Sequence, residues 1–451
     1  MKSIDWWLVT VLSLLAFMIG GFHFGIDQDA YYLPLVQAKL SSLPLYTGDS
    51  YVHALTRYAT VYYDAIAFIA RFTGIAIAFL IFHLLTIYFF ISVIFLLSHD
   101  LFSSRKVALF SSLFLFLPKS ALGGINLGAN HSYIYQSFTA LPFALLSIHF
   151  FIRRHLSLSF ITASLITYIH SVTSLPLLAF LSLSLILQKQ FRPACVNLLL
   201  ALSLITPFIW QNFNSGLLTE SGNFADWLYL NRLRNSHHLF PDTWSLSTWL
   251  KGLWLSLVLI KFKNLRILAV SALSLFLFAF MFTSIYPIRP IIQLQFFRLS
   301  LVTTALGWIS LTYFILNRKL LKFALIPLLI ILTLKPGHQN PFKAFALPDH
   351  DQYWIQAQYW VKLHTQPEDR IYILPDSPTF RGFSQRSTNI TWPEMTYILA
   401  DNKFTQDSLL SLRQPLRDLD KSRFIVLPND YPWDGTFIYR NPQFSVYPGI
   451  L

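Results

Sequence analysis

Eleven apolar runs constrain what this chain can fold into more than any other feature of the sequence. They fall at about 6–22, 74–98, 107–122, 133–152, 158–175, 176–188, 194–211, 247–260, 267–287, 293–315 and 319–335. A helix needs about 20 mostly apolar residues to cross the hydrocarbon core of a bilayer, and most of the runs satisfy that length. Only 12% of the residues are charged, against roughly 25% in soluble domains. The sequence therefore predicts a polytopic α-helical membrane protein with about eleven transmembrane helices.

Three of the runs are short for a complete crossing, namely 107–122, 176–188 and 247–260. We expect these to be half-helices or re-entrant elements packed inside the helical bundle. The first run lacks a small-residue cleavage site, which indicates a retained span rather than a signal peptide. The chain has one cysteine, Cys195, which excludes a disulfide within it.

The distribution of lysine and arginine predicts the orientation in the membrane. If the N-terminus is cytoplasmic and the chain crosses eleven times, the short basic connectors all fall on the cytoplasmic side. These connectors carry Arg105, Lys106, Arg153, Arg154, Lys189, Arg192, Lys261, Lys263, Arg266, Arg318, Lys319 and Lys322. The net charge of +13 therefore indicates membrane orientation rather than nucleic-acid binding. We predict a multi-pass protein of the bacterial plasma (inner) membrane, with the C-terminal segment on the non-cytoplasmic side.

The composition changes near residue 336, which predicts two domains. Residues 1–336 would form the transmembrane domain, with a long first exterior loop at 23–72 that folds into one or two helices at the membrane interface. Residues 337–451 would form a small non-cytoplasmic α/β domain. In this domain we expect helices at 349–365, 392–400 and 408–419, buried strands at 371–375 and 424–428, and a final hairpin across 437–447.

Two carboxylates follow the first apolar run, in the string Asp27-Gln28-Asp29-Ala30-Tyr31-Tyr32. We expect both acids at the membrane surface, where water hydrates them. Acids in this position can act as a general base or hold a divalent cation, Mg²⁺ or Mn²⁺, against a lipid phosphate. The alternative is that they are ordinary polar residues of a loop that leaves the membrane.

This arrangement resembles the GT-C superfamily of membrane glycosyltransferases, which use sugars carried on polyprenyl phosphate or diphosphate. Members have an essential acid soon after the first span, and the Asp-x-Asp-Ala-Tyr-Tyr string is similar to a motif found there. Within the superfamily the chain looks like a poorly characterised bacterial group, on the strength of Leu33-Pro34 and of Leu45-Tyr46-Thr47-Gly48-Asp49. The resemblance implies that Asp29 or Asp27 is the catalytic base. Asp29 is our first choice, because Ala-Tyr-Tyr follows it directly.

A second set of residues is predicted to bind the substrate, and Arg289 and Arg298 are the cations best placed to hold its phosphate. The full set is Tyr31, Asp49, His131, His170, Arg289, Gln295, Arg298, Arg381 and Arg386. Alternatives remain for several members. Arg298 snorkels or pairs with an acid, His170 binds a neighbouring helix, and Arg381 and Arg386 either contact an anionic substrate or anchor the tail.

The favoured function is a glycosyltransferase that moves a sugar from a polyprenyl-phosphate donor to a glycan, lipid or protein acceptor on the non-cytoplasmic face. Its partners would be the lipid-linked sugar and membrane lipids, with no nucleic acid. The alternatives are a transporter or flippase of lipid-linked saccharides, a glycan polymerase or ligase, and a catalytically dead scaffold. Related halves and interrupted midplane helices would favour a transporter.

Overall fold

The computed structural model describes residues 6–42, 45–58, 60–116, 119–122, 126–129, 131–215, 223–317, 347–396, 401–415 and 418–449. The helices in these ranges are α1 Trp6–Gly20, α2 Asp27–Leu40, α3 Ser50–Arg57, α4 Tyr62–Thr73, α5 Ile75–Phe102, α6 Arg105–Phe114, α7 Gln136–Ile152, α8 Leu156–Leu165, α9 Thr167–Leu187, α10 Phe191–Asn214, α11 Phe224–Arg234, α12 Ser236–Leu239, α13 Leu246–Ile260, α14 Arg266–Phe280, α15 Arg289–Leu294, α16 Leu299–Asn317, α17 Asp349–His364, α18 Arg381–Ser384 and α19 Asn402–Arg413. The strands are β1 Lys119–Ser120, β2 Asn126–Leu127, β3 Arg370–Ile373, β4 Ser387–Thr388, β5 Phe424–Pro428, β6 Tyr439–Arg440 and β7 Phe444–Pro448.

Close packing divides the chain into two compact units. We call the first the membrane unit, which comprises Met1–Phe22, Ile81–Ile209 and Ser236–Ala344. The second is the mixed unit, which comprises His23–Leu80, Trp210–Asn235 and Phe345–Leu451. This division differs from the predicted boundary near residue 336, because helices of the first loop pack on elements of the C-terminal segment. One such contact is the hydrogen bond, 2.6 Å long, that the Gln37 side-chain amide donates to the carbonyl of Gly382.

The chain is a multi-pass α-helical membrane protein. Five helical segments of the described residues are long and apolar enough to cross a bilayer, namely Ile75–Phe102, Thr167–Leu187, Phe191–Asn214, Arg266–Ile285 and Arg289–Asn317. Shorter apolar helices are Trp6–Gly20, Gln136–Ile152, Leu156–Leu165 and Leu246–Ile260. The run at 107–122 contains only the short helix α6 before a two-residue strand, as expected for a partial crossing. The eleventh predicted run, 319–335, lies outside the described residues.

The predicted boundary between the runs 158–175 and 176–188 was wrong. Helix α9 continues through that point, and its break lies at His170, whose dihedral angles are extended (φ −156°, ψ 92°). The hydroxyl of Ser174 donates to the carbonyl of Ala163 and lies 2.7 Å from the Thr167 hydroxyl. These side-chain bonds satisfy polar groups at the kink, as a helix break inside a bilayer requires.

Hydroxyl pairs between helices hold the membrane unit together in addition to its apolar core. Ser184 donates to Ser271 over 2.9 Å, and Ser256 donates to Thr303 over 3.0 Å. All four residues are buried. Hydrogen bonds of this kind contribute about 0.6–2 kcal/mol each between transmembrane helices.

A five-stranded sheet forms the centre of the C-terminal part of the mixed unit, in the order β4-β3-β5-β7-β6. Strand β3 pairs in parallel with β4 and β5, while β7 is antiparallel to β5 and β6. Helix α17 covers the sheet because Trp354, Ala357 and Val361 recur at helical spacing, and they pack on Ile371 and Val426. Both predicted strands are therefore present, at Arg370–Ile373 and Phe424–Pro428.

Two predicted helices of the tail differ from the structure. The helix expected at 408–419 spans Asn402–Arg413, because Asp401 caps it and accepts a hydrogen bond, 2.9 Å long, from the Phe404 amide. The helix expected at 392–400 contains only a short 3-10 turn at Glu394–Thr396. Residues 397–400 lie outside the described part of the chain.

Candidate functional site

Asp29 lies in the first turn of α2, where the N-terminal end of the helix dipole favours a negative charge. Only 1% of its surface is exposed. We had expected Asp27 and Asp29 in a hydrated loop at the membrane surface. For Asp29 that expectation was wrong, because the loop residues fold into helices whose side chains exclude water. The side chain of Asp27 lies outside what the structure describes.

Tyr63 lies near the buried Asp29 and belongs to a group of packed tyrosines. The ring of Tyr32 stacks on that of Tyr63 at 4.6 Å, and Tyr62 meets Tyr63 edge-on at 4.9 Å. Burial raises the pKa of the Tyr63 hydroxyl well above its ordinary value, and the two tyrosines and Asp29 raise it further. Tyr63 therefore stays a neutral phenol that can donate a hydrogen bond. Tyr31, predicted to bind substrate, accepts a hydrogen bond at its backbone carbonyl from the Tyr51 hydroxyl at 3.1 Å.

The turn before α2 fits closely against the C-terminal segment. Gly25 has a φ of +75°, and a Cβ atom there would lie 2.4 Å from Cζ of Phe383. The position accepts glycine because glycine alone adopts this conformation readily and adds no side chain. Gly25 thus sets the path by which the chain enters the helix that carries Asp29.

Asp49 and Arg381, both predicted to bind substrate, bind each other inside the mixed unit. Arg381 donates from Nε to Asp49 over 2.6 Å and from a terminal nitrogen to Glu394. Its other terminal nitrogen donates to the carbonyls of Thr388 and Asn389, each at 3.2 Å. The guanidinium and both carboxylates are completely buried. The contacts are those of an internal anchor, one of the two roles that the sequence left open for Arg381.

The charges in this buried cluster stabilise one another. Burial lowers the pKa of Arg381, but the carboxylates of Asp49 and Glu394 outweigh it and hold that pKa above its ordinary value. Burial raises the pKa of Glu394, although Arg381 and the Thr391 amide oppose the shift. Asp49 also caps α3 by accepting from two backbone amides at 3.1 Å. One carboxylate therefore fixes both the helix start and the arginine.

Arg386 also makes contacts within the protein. Its Nε donates to the Thr365 hydroxyl over 2.9 Å, and its terminal nitrogens donate to the carbonyls of Lys362, Thr365, Ser384 and Gln385. Lys362 and Thr365 lie at the end of α17, so Arg386 satisfies carbonyls that a helix end leaves unpaired. Burial lowers the pKa of Arg386. Its predicted role in substrate binding stays a prediction.

In the membrane unit, Arg298 lies at a break in the apolar run at 293–315. Gln295 ends α15 in the left-handed conformation (φ 51°, ψ 51°), and α16 starts only at Leu299. The Arg298 Nε donates to the side-chain oxygen of Gln295 over 2.5 Å. Arg289, the other predicted phosphate-binding cation, starts α15 on the N-terminal side of this break. The Gln295 side chain, which lies at the break, therefore orients the Arg298 guanidinium.

The positive charge of Arg298 lies close enough to the Tyr135 hydroxyl and to the His170 ring to interact with both. Tyr135 lies 3.0 Å from Nε2 of His131, and Nδ1 of His170 lies 2.8 Å from the Thr173 hydroxyl. Burial lowers the pKa of His131 to about 4, so it is neutral at physiological pH. The predicted residues His131, His170, Gln295 and Arg298 thus belong to one polar region of the membrane unit.

A bound divalent cation finds limited support in the described residues. They contain no group of three or more His, Cys, Asp or Glu side chains close enough to hold a metal ion. Mg²⁺ and Mn²⁺ favour several oxygen ligands, and of the predicted pair only the Asp29 carboxylate is described. The predicted cation therefore stays a prediction.

Glu394, Tyr63 and Asp401 were not singled out in the sequence. Glu394 follows a proline in a segment expected to be a helix, and Tyr63 is one of 21 tyrosines. Asp401 forms an ion pair with Arg57 that joins α19 to α3. No local pattern distinguishes such residues, because their burial depends on tertiary packing.

No family model matches the chain, and no curated protein matches it. Among solved structures it is similar to ArnT from Cupriavidus metallidurans in the apo state, with a TM-score of 0.53, 11% identity and coverage of 98% of this chain and 97% of that one. The same protein bound to undecaprenyl phosphate gives a TM-score of 0.51 and 12% identity over the same shares. The archaeal oligosaccharyltransferase AglB from Archaeoglobus fulgidus gives 0.46 and 12%, over 93% of this chain and 69% of that one. The chain therefore shares the fold of these ArnT structures, and this likeness supports the resemblance that the sequence motifs had indicated.

Proposed function

We propose that the protein is an integral membrane glycosyltransferase that transfers a sugar from a polyprenyl-phosphate donor, with Asp29 as its general base. The observation that carries the proposal is the buried carboxylate of Asp29 at the start of α2, in a chain with the GT-C fold. A carboxylate shielded from water is a stronger hydrogen-bond acceptor than one in solution. It is therefore suited to take the proton of an acceptor hydroxyl.

A phosphate leaving group also needs a cation, and Arg298 is the residue of the membrane unit that we propose for this role, considered apart from Asp29. ArnT, the protein of similar fold, has been seen with undecaprenyl phosphate bound. A guanidinium matches phosphate oxygens well because it presents its N–H groups as a planar fork. Gln295 accepts from Nε of Arg298 and so orients that fork. Arg289 is a second cation for the same phosphate, and the reaction takes place on the non-cytoplasmic face.

The proton and the leaving group follow a simple sequence in this proposal. Asp29 accepts the proton of the acceptor hydroxyl as the hydroxyl oxygen forms a bond to the anomeric carbon of the sugar. The bond between that carbon and the lipid phosphate oxygen breaks, and the lipid phosphate leaves as an anion. The acceptor is a glycan, a lipid or a protein. Tyr63, a neutral phenol close to Asp29, can keep the carboxylate oriented between turnovers.

The proposal is tested by mass spectrometry of the lipids that co-purify with the gently solubilised protein. Wild type is compared with Asp29→Asn, and with Asp64→Asn as the control. Asp64 lies in the same loop but is 54% exposed in an ion pair with Lys39. We expect a polyprenyl-phosphate sugar to accumulate on Asp29→Asn and not on the control, because donor still binds but is no longer consumed.

Size-exclusion profiles and thermal unfolding of the two variants show whether each has folded. If folded Asp29→Asn carries no more isoprenoid phosphate than wild type, and donor turnover by the two proteins is equal, Asp29 is not the base. If no form of the protein retains isoprenoid phosphate while another lipid does, the glycosyltransferase proposal fails.

One observation bears on the alternative of a transporter, namely the break in the run that contains Gln295. Transporters use interrupted helices that meet near the middle of the membrane. Here six residues lie in α15 before the break and nineteen in α16 after it, so the break lies near one end of the segment. If the protein is a flippase, wild type and Asp29→Asn should both move a fluorescent lipid-linked saccharide across the bilayer of proteoliposomes. Neither protein should then form a new glycosidic bond.

A further inference from the structure

A groove in the mixed unit lies between helices α3 and α19. Its main cavity has a volume of about 410 Å³, which is within the usual range for ligand sites. A smaller cavity of about 90 Å³ adjoins it, and Ser50 and Asp407 line both. On α19 the lining residues Lys403, Asp407 and Ser411 follow one another at intervals of four, so they share one helix face. That face is about 12 Å long.

The walls of the groove are held in place by buried contacts. Arg57 at the end of α3 pairs with Asp401, the buried cap of α19. The ring of Tyr51 meets that of Phe404 at 5.8 Å, which joins the same two helices. Asp49 caps the start of α3 and is itself anchored by the buried arginine beneath it. The groove is therefore formed before any ligand arrives, which lowers the entropic cost of binding.

Part of the lining is apolar, including Val52 and Phe404, and its polar part combines groups that only donate hydrogen bonds with groups that only accept them. Lys403 donates, the carboxylate of Asp407 accepts, and the hydroxyls of Ser50, Thr56 and Ser411 do both. Within the described ranges, no ion pair engages Lys403 or Asp407. By contrast Arg370, which lines the smaller cavity, pairs with Asp418 at 3.0 Å.

This chemistry selects the kind of ligand. An apolar ligand would remove water from Lys403 and Asp407 without replacing its hydrogen bonds, which is unfavourable. A highly anionic ligand would meet the Asp407 carboxylate midway along the groove. A saccharide presents hydroxyls that accept from the ammonium and donate to the carboxylate. We propose that the groove between α3 and α19 binds a short oligosaccharide of the acceptor, an inference that rests on the proposed function.

The experiment uses the full-length protein in detergent and an immobilised panel of short neutral and acidic oligosaccharides. Three variants are compared with wild type. Asp407→Ala removes the acceptor group in the middle of the groove, Ser411→Trp fills the groove, and Asp434→Ala changes an exposed acid that lines neither cavity. We expect Asp407→Ala and Ser411→Trp to bind the oligosaccharides at least tenfold more weakly than wild type. Asp434→Ala should bind them as tightly as wild type does.

Both groove variants change partly exposed side chains of α19, so thermal unfolding will show whether they remain folded. If wild type binds no member of the panel, or if folded Ser411→Trp binds as wild type does, the groove is not a saccharide site. Retention of the lipid donor is measured on the same samples. Saccharide binding that depends on Asp407 in a protein that retains no isoprenoid phosphate would support the groove and contradict the glycosyltransferase. Donor accumulation on Asp29→Asn without saccharide binding would support the glycosyltransferase proposal and contradict the saccharide groove.

Discussion

Replacing Arg381 with methionine removes the positive charge that lies between the buried carboxylates of Asp49 and Glu394. Breaking a buried ion pair by deleting one partner typically costs about 3–5 kcal/mol, because an uncompensated charge remains. Asp49 keeps three hydrogen bonds from backbone amides, one of them from Thr388. Glu394 keeps the amide of Thr391. We therefore expect the loss to lie within that range, with most of it arising at Glu394.

The measurement is thermal unfolding of the detergent-solubilised protein, followed by tryptophan fluorescence. For a unit of 150–250 residues, 1 kcal/mol corresponds to about 2–4 °C. Arg381→Met should therefore lower the unfolding temperature by about 6–20 °C. The control is Arg413→Met, since Arg413 forms a solvent-exposed pair with Asp226 at 3.5 Å. Exposed pairs contribute about 1 kcal/mol at most, so this variant should be close to wild type.

The pH dependence gives an independent check. Burial already raises the pKa of Glu394 from 4.5, and removal of the arginine raises it further. A carboxyl whose pKa is higher in the folded state binds its proton more tightly there. It therefore favours folding at low pH and opposes folding as pH rises through the folded pKa. The deficit of Arg381→Met should be larger at pH 8 than at pH 5.

Two results would refute this reasoning. The first is an unfolding temperature for Arg381→Met within about 2 °C of wild type at pH 8. The second is a deficit that grows on acidification. A triple variant that adds Asp49→Asn and Glu394→Gln should recover much of the loss, since it leaves no buried charge. Failure to recover would mean that the arginine matters through its shape rather than its charge.

Three further predictions use the same unfolding measurement. Arg386→Ala leaves partly buried carbonyls without donors and should cost about 1–3 kcal/mol. No change relative to Arg440→Ala, an exposed arginine, would contradict the capping role. Gly25→Ala should cost about 1–2 kcal/mol from its positive φ and more from the clash of the new Cβ with the Phe383 ring, and Phe383→Leu should relieve only the clash. Because burial lowers the pKa of His131 from 6.5 to about 4, wild type should lose stability as pH falls from about 6.5 towards 4. The His131→Gln variant should lose less stability than wild type over that pH interval. If the two proteins show the same dependence of stability on pH, the pKa of His131 is not lowered in the folded state.

Much of the architecture could be predicted because it depends on local patterns. The apolar runs predicted a helical membrane protein, and the amphipathic pattern predicted a helix at 349–365, found at Asp349–His364. Strands expected at 371–375 and 424–428 were found at Arg370–Ile373 and Phe424–Pro428. Runs of residues carry such signals without reference to distant parts of the chain. Where helices break inside an apolar run was harder to predict, because the break at His170 depends on side-chain bonds to a neighbouring turn.

The residues of the candidate site stay predictions, and their surroundings could not be predicted from the sequence. The string around Asp29 was recognisable, yet its burial among tyrosines depends on how α2 and α4 pack together. Asp49 and Arg381 were both singled out as substrate-binding residues. They are 332 positions apart, and no local pattern indicated that each is the other's partner. The groove on α19 likewise required two helices from opposite ends of the sequence.

The sequence by itself determined that the chain crosses a membrane repeatedly, that a carboxylate pair follows its first span, and that its tail contains an α/β sheet. These properties follow from hydropathy and periodicity, which each segment carries alone. Only the tertiary structure decided that Asp29 is shielded from water and that Arg381 serves as an internal anchor. Burial and ion pairing depend on which segments meet, and the free energy of a charge is set by the neighbours that replace its water.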